Sequence, residues 1–133
     1  MTASGSCLCG AVSYQVNGPL RDVVSCHCKQ CRKTSGHFVA ASSAARSDLV
    51  VTDNEAITWY VSSPGVRRGF CGTCGGHLFW DVEANDHVSI FAGTLDGETG
   101  LKTACHIFCA DKGDYYEIDD GAPKHDGTWS GGG

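Results

Sequence analysis

Nine cysteines punctuate this chain in four groups, and their spacing constrains it more than any other feature. Cys7-x-Cys9 comes first, inside Ser-Cys-Leu-Cys-Gly. Sixteen residues later stands Cys26-His27-Cys28-Lys29-Gln30-Cys31, and after 39 more comes Cys71-Gly72-Thr73-Cys74-Gly75. Cys105 and Cys109 complete the set, with three residues between them. The start, Met-Thr-Ala-Ser-Gly-Ser-Cys, has no basic and no apolar export segment, so the chain reads as cytoplasmic. In a reducing compartment such cysteines serve as metal ligands or reactive groups rather than disulfides. The odd count argues the same way, as does the strain of bridging Cys7 to Cys9 or Cys26 to Cys28.

A Cys-x₂-Cys turn aims two sulfurs at one ion, and a following glycine permits the tight backbone. Zinc takes four ligands in a structural site and keeps a position open in a reactive one. Two partitions satisfy the spacing. In one, Cys7, Cys9, Cys71 and Cys74 close a tetrahedral site, and Cys26, Cys28 and Cys31 form a tripod with a fourth position open. In the other, Cys28, Cys31, Cys71 and Cys74 make a ribbon-like knot that leaves Cys7, Cys9 and Cys26 free. The first is preferred, because no motif member is idle and three sulfurs within six residues reach one ion at little loop-closure cost. Cys105, His106 or Cys109 remains a candidate fourth ligand to the tripod. Cys105 and Cys109 otherwise read as small buried apolar groups. His27 reads as a local hydrogen-bonder or a spacer, and His37, His77, His87 and His125 as ordinary residues.

The 133 residues suit a single domain with its own core. No apolar run approaches the roughly 20 residues that span a bilayer. A formal charge of −5 argues against a nucleic-acid partner. Seven thiolates around two Zn²⁺ ions would subtract a further three, to about −8. Val12, Tyr14 and Val16 alternate with smaller or polar neighbours, a strand signature. Further short β-like runs are Phe38–Ala41, Leu49–Thr52, Ile57–Val61, Val66–Phe70, His77–Asp81 and Val88–Ala92, with weaker ones at Ile107-Phe108 and Tyr115–Ile118. The best helical candidate is one or two turns after Cys28, through Lys33. Tyr14, Phe38, Phe70, Phe79 and Phe91 read as core. The expectation is a mostly β, sandwich- or barrel-like domain over 1–125, followed by a loose Gly/Ser-rich tail over 126–133.

The sequence resembles the glutathione-dependent formaldehyde-activating enzyme family, which includes centromere-protein-V-like zinc domains. The carriers are Gly5-Ser6-Cys7-Leu8-Cys9-Gly10-Ala11-Val12, Cys26-His27-Cys28-Lys29-Gln30-Cys31-Arg32-Lys33, Arg68-Gly69-Phe70-Cys71-Gly72-Thr73-Cys74-Gly75, Gly93-Thr94-Leu95-Asp96 and His106-Ile107-Phe108. The resemblance implies a "beta-tent" of zinc-stabilised antiparallel sheets. It implies structural zinc on Cys7, Cys9, Cys71 and Cys74, and a second, reactive zinc on Cys26, Cys28 and Cys31, a site that need not be filled in every preparation. Two departures fall near the substrate pocket. Thr103-Ala104-Cys105 stand where the family usually has a proline, and Tyr115-Tyr116 stand where a tryptophan is common.

The activity the resemblance implies is that of a carbon–sulfur lyase on a thiol–aldehyde adduct of the S-hydroxymethylglutathione kind, joining or parting glutathione and formaldehyde. An open tripod suits it, because a coordinating thiol is deprotonated by Zn²⁺ whereas a free one is mostly protonated at neutral pH. Positioning is expected to matter more than activation, since three anionic sulfurs already weaken the metal as a Lewis acid. Arg32, Lys33 and Arg68 are candidates to pair with the carboxylates of glutathione or a similar small thiol. The competing readings are a non-catalytic structural zinc module and a redox enzyme like methionine sulfoxide reductase. The latter requires a reactive non-ligand cysteine at Cys105 or Cys109. Self-association into a homo-oligomer is left open.

Overall fold

A computed structural model describes residues 2–52 and 55–129. The strands are β1 (Ala3–Ser6), β2 (Ser13–Val16), β3 (Val23–Cys26), β4 (Val39–Ala45), β5 (Leu49–Thr52), β6 (Ile57–Ser63), β7 (Val66–Cys71), β8 (His77–Val82), β9 (His87–Phe91) and β10 (Thr103–Ile107). One helix, α1 (Lys29–Ser35), follows β3. They form a three-stranded sheet, β1-β2-β5, and a seven-stranded sheet, β10-β3-β4-β9-β8-β7-β6. Every pairing is antiparallel except β10 with β3. The mostly β, single-domain architecture is the expected one.

The large sheet has two faces with different uses, and strand alternation assigns its residues to them. On one face Trp59, Gly69, Phe79 and Ile90 stand in register across β6, β7, β8 and β9. This face packs on Tyr14 and Val16 of the small sheet and on Val12 beside it, and together they make the core. Gly69 is required there, because a Cβ would lie 2.8 Å from Trp59 Cζ3. On the other face Arg68, Trp80 and Ser89 share one row, and Val24, Ala41 and Phe91 another. That second face lines a cavity.

The expected runs at 49–52, 57–61, 66–70, 77–81 and 88–92 coincide with β5 to β9, within two residues at each end. Two strands escaped detection. Ala-Ser-Gly-Ser in β1 is small and polar, and Val-Val-Ser-Cys in β3 is too short to show a period. Tyr115–Ile118 is not a strand. There the Lys112 ammonium binds the carbonyls of Gly113 and Tyr116, and the Tyr116 ring turns inward onto His27. The Ile107-Phe108 signal marks only the end of β10, which stops where Phe108 adopts left-handed φ 53°. Of the five aromatic residues expected in the core, Tyr14 and Phe79 lie there, whereas Phe38, Phe70 and Phe91 are half-buried outside it, Phe91 lining the cavity.

Near the C-terminus the Phe108 N–H donates to the Gly127 carbonyl at 2.8 Å and the Cys109 N–H to that of His125 at 3.0 Å. The chain at 125–127 therefore runs beside the end of β10. Residues 130–133 of the expected loose tail lie outside the described residues. Among the described residues no helix is long and apolar enough to cross a membrane.

Candidate metal centres and active-site cavity

All nine cysteines are free. Seven gather in two groups: Cys7, Cys9, Cys71 and Cys74, and separately Cys26, Cys28 and Cys31. Within each group the sulfurs lie within 4.8 Å of one another, so each is able to hold a metal ion. This is the first of the two partitions allowed by the spacing. Cys105, His106 and Cys109 join neither group. Cys105 is buried within β10, poorly placed for the exposed reactive thiol a reductase needs.

The four-sulfur group ties the two sheets together. Cys7 and Cys9 lie in the turn after β1, Cys71 ends β7, and Cys74 lies in the turn before β8. Each turn closes on a left-handed glycine. Gly10 (φ 81°) donates to the Cys7 carbonyl at 3.2 Å, and Gly75 (φ 78°) to the Cys71 carbonyl at 2.8 Å. Backbone N–H groups point at the sulfurs: Val12 at Cys7 Sγ (3.3 Å), and Thr73 and Cys74 at Cys71 Sγ (3.3 and 3.4 Å). Hydrogen bonds from the backbone of Cys9 and Gly76 hold the Cys74 thiol down at about 6. The Cys7–Cys9 and Cys9–Cys71 sulfur separations are both 3.7 Å. A tetrahedron with Zn–S bonds of about 2.3 Å has edges of about 3.8 Å, so these two edges match zinc.

The three-sulfur group is local. Cys26 ends β3, Cys28 caps α1, and Cys31 sits in the first turn of that helix. Cys28 is an N-cap through its sulfur, which accepts the Cys31 N–H at 3.3 Å. Gly36 ends the helix at φ 86°, its N–H on the Arg32 carbonyl. Contacts from the Cys26 and Cys31 thiols pull Cys28 far below the usual thiol range, while contacts from Cys28 and Cys31, with burial, push Cys26 up.

Arg68 reaches this group from β7, its Nη2 3.7 Å from Cys31 Sγ and 3.4 Å from Gln30 Oε1. It is only 3% exposed, and its Nε and Nη1 find no hydrogen-bond partner. A guanidinium buried like this needs negative charge beside it. Thiolates provide that charge where neutral thiols would not, so the Arg68 environment fits a metal-holding cluster.

The three sulfurs form part of the wall of a cavity of about 620 Å³. Its wall is largely apolar and aromatic, including Trp80, Phe91, Phe108 and Trp129. Arg21, Lys29 and Arg68 bring positive charge, and Asp111 negative charge. Arg32 and Lys33 do not line it: Arg32 is half-buried on α1 and Lys33 is exposed. His27, expected as a local hydrogen-bonder or a spacer, is completely buried and hydrogen-bonded through both ring nitrogens. Burial, reinforced by the nearby His106, lowers its pKa to about 4, so it is neutral at physiological pH.

Fold and site together define a mostly β domain whose cysteines form one sheet-spanning and one cavity-lining thiolate group. The chain belongs to the family described as glutathione-dependent formaldehyde-activating enzyme, whose pattern matches residues 2–111. A Halomonas elongata protein named for glutathione-dependent formaldehyde activation is 32% identical over 130 residues, covering 90% of this chain and 82% of that protein. An uncharacterized lyase of Schizosaccharomyces pombe is 29% identical over 116 residues, covering 86% and 83%. A crystal structure of a Rhodobacter sphaeroides protein is similar at a TM-score of 0.62 and 28% identity, over 73% of this chain and 91% of that one.

Proposed function

We propose that this chain is a zinc-dependent carbon–sulfur lyase for a thiol–aldehyde adduct of the S-hydroxymethylglutathione kind. The observation that carries the reading is the three-thiolate group in the wall of the 620 Å³ cavity. The names of the family and of the Halomonas relative support glutathione and formaldehyde as the two halves of the adduct, and the S. pombe relative supports a lyase. Cys7, Cys9, Cys71 and Cys74 would hold a structural zinc, and Cys26, Cys28 and Cys31 a second one.

In the lyase direction the adduct's C–S bond breaks and its electron pair stays on sulfur. The hydroxyl loses its proton as the C=O bond of the aldehyde forms, and that proton passes to the thiol or to solvent. Nothing is oxidised or reduced. A zinc ion on Cys26, Cys28 and Cys31 would supply an open position that favours the thiolate form of the departing thiol. The chain's own residues do the rest. The apolar wall displaces water and restricts how the adduct lies, which is the positioning contribution. Lys29 and Arg68 place positive charge near the sulfurs, where carboxylates of a glutathione-like thiol would dock. Of the three cations expected there, Arg68 lines the cavity and Arg32 and Lys33 do not; Lys29 joins it.

Zinc per chain and glutathione binding by calorimetry, in wild type and Cys28→Ser, test this reading. Two zincs per chain are expected, one of them lost in the variant together with glutathione binding. One inert zinc and no thiol binding in the wild type would overturn it.

A further inference from the structure

Tyr116, His27, His106 and Asp120 form one hydrogen-bonded row that the chemistry above does not use. The Tyr116 hydroxyl meets His27 Nδ1. His27 Nε2 lies 2.9 Å from His106 Nδ1, and His106 Nε2 lies 2.8 Å from Asp120 Oδ2. His27 and His106 are buried, whereas the Asp120 side chain is 46% exposed. A carboxylate only accepts, so it sets the polarity of the whole row. His106 donates its Nε2 proton to Asp120 and accepts at Nδ1 from His27 Nε2–H. His27 in turn accepts at Nδ1 from Tyr116 O–H. Both ring nitrogens of each histidine are thereby satisfied.

The row passes through the three-cysteine group at His27. His27 lies between Cys26 and Cys28, at the extended end of β3. Its backbone N–H donates to the Ile107 carbonyl at 3.0 Å, and its ring packs on Phe38 with centroids 4.7 Å apart. Backbone and side chain are both pinned. In extended chain, neighbours of an inward residue project to the opposite side. His27 is turned away from the cavity, and Cys26 and Cys28 line it. The four-thiolate group stands elsewhere, on the β1–β2 and β7–β8 turns.

We propose that this row is a positioning device for the three-thiolate cluster. Anchored at Asp120, it fixes the directions in which Cys26 and Cys28 present their sulfurs, and so sets how tightly and in what geometry a metal ion is held there. The proposal rests on reading that cluster as a metal site. It separates positioning from packing at Asp120, a half-exposed side chain whose removal changes little buried area.

Cobalt(II) loading of the full chain tests it, because thiolate-to-metal absorption reports the number and geometry of bound ions. The wild type is expected to take two ions. Asp120→Ala and Tyr116→Phe should loosen the second ion about tenfold in chelator competition, the usual cost of losing an outer-shell partner. They should also shift that ion's bands and leave the first ion and the melting temperature near wild type. Asp120→Asn keeps an acceptor for His106 and should restore most of the affinity. The proposal is overturned if both variants hold the second ion as the wild type does, or if both ions loosen together with a fall in melting temperature. A wild type that takes only one ion would overturn the metal reading of the cluster, and the proposal with it. Unchanged variants of a two-ion wild type overturn the proposal alone.

Discussion

The two cysteine groups are built from the same side chain, and chain separation is what divides them. Cys9 and Cys71 meet across 62 residues, whereas Cys26, Cys28 and Cys31 span six. Loop closure costs about 0.6 kcal/mol for each doubling of length, so the long loop, about tenfold longer, is harder to close by about 2 kcal/mol. An ion on the four-thiolate group therefore restrains the unfolded chain strongly and joins two sheets. An ion on the tripod restrains almost nothing beyond a helix start. The first arrangement suits a folding device, and the second a site whose ion is free to engage something else. On the proposed reading, a cross-sheet metal would hold the fold, and a local metal at a cavity would be spared for chemistry.

The sharpest way to break that contrast is one serine in each group. Cys71→Ser should remove most of the net stability, which for a domain is about 5–15 kcal/mol, and abolish cooperative thermal melting. Cys28→Ser should melt within a few degrees of wild type while losing one metal equivalent. A Cys71→Ser protein that melts like wild type would show that the four-thiolate group does not hold the fold.

The faces of the large sheet repeat the contrast without metal. Phe79 is 1% exposed in the core, and Phe91 is half-buried beside the cavity. Phe79→Ala should cost about 3–5 kcal/mol in denaturant unfolding, as buried aromatic truncations do. Phe91→Ala should cost clearly less, because its ring borders space already empty, and should instead weaken thiol binding measured by calorimetry. Equal stability losses would mean that the cavity wall packs like core.

How much of this was legible in the sequence follows the same physics. The alternation of Val12, Tyr14 and Val16 and the β-branched or aromatic runs Leu49–Thr52 and His77–Asp81 declared their strands. Ala3–Ser6 and Val23–Cys26 did not, since four residues of small or uniform character show no period. The seven clustered cysteines were legible because each knuckle brings its sulfurs together locally. Arg32 and Lys33 looked close to the site only in sequence: Cys31 faces inward, and each further residue of α1 turns about 100° away. Arg68, on a different strand, is the cation that reaches Cys31. The Tyr116–His27–His106–Asp120 row was out of reach, since His27 and His106 meet across 79 residues with no spacing that announces the contact.

Asp81 separates carboxylate from thiolate contributions to acid stability, and here the expected effect is smallest. Its side chain is 5% exposed at the rim of the core, 2.8 Å from Arg46 Nη2 and 3.0 Å from Arg67 Nε. Burial pushes the carboxyl up, but hydrogen bonds from Arg46 and Arg67 outweigh that and hold it below the usual 3.8. A depressed carboxyl stabilises the fold fully above its unfolded value, and that stability is lost as pH falls through the folded value. Both arginines are 40% exposed or more, so solvent screens part of the attraction. Asp81→Asn should therefore cost about 1–3 kcal/mol at pH 7, the penalty for spoiling a buried charge-assisted pair. The gap to wild type should hold steady down to about pH 4 and narrow only below it. Metal release, followed in the same titration, should be alike in both proteins. If the two unfolding curves instead converge together with metal release, the Arg46–Asp81–Arg67 bridge contributes no acid lability of its own, and the thiolates alone set the acid limit of the fold.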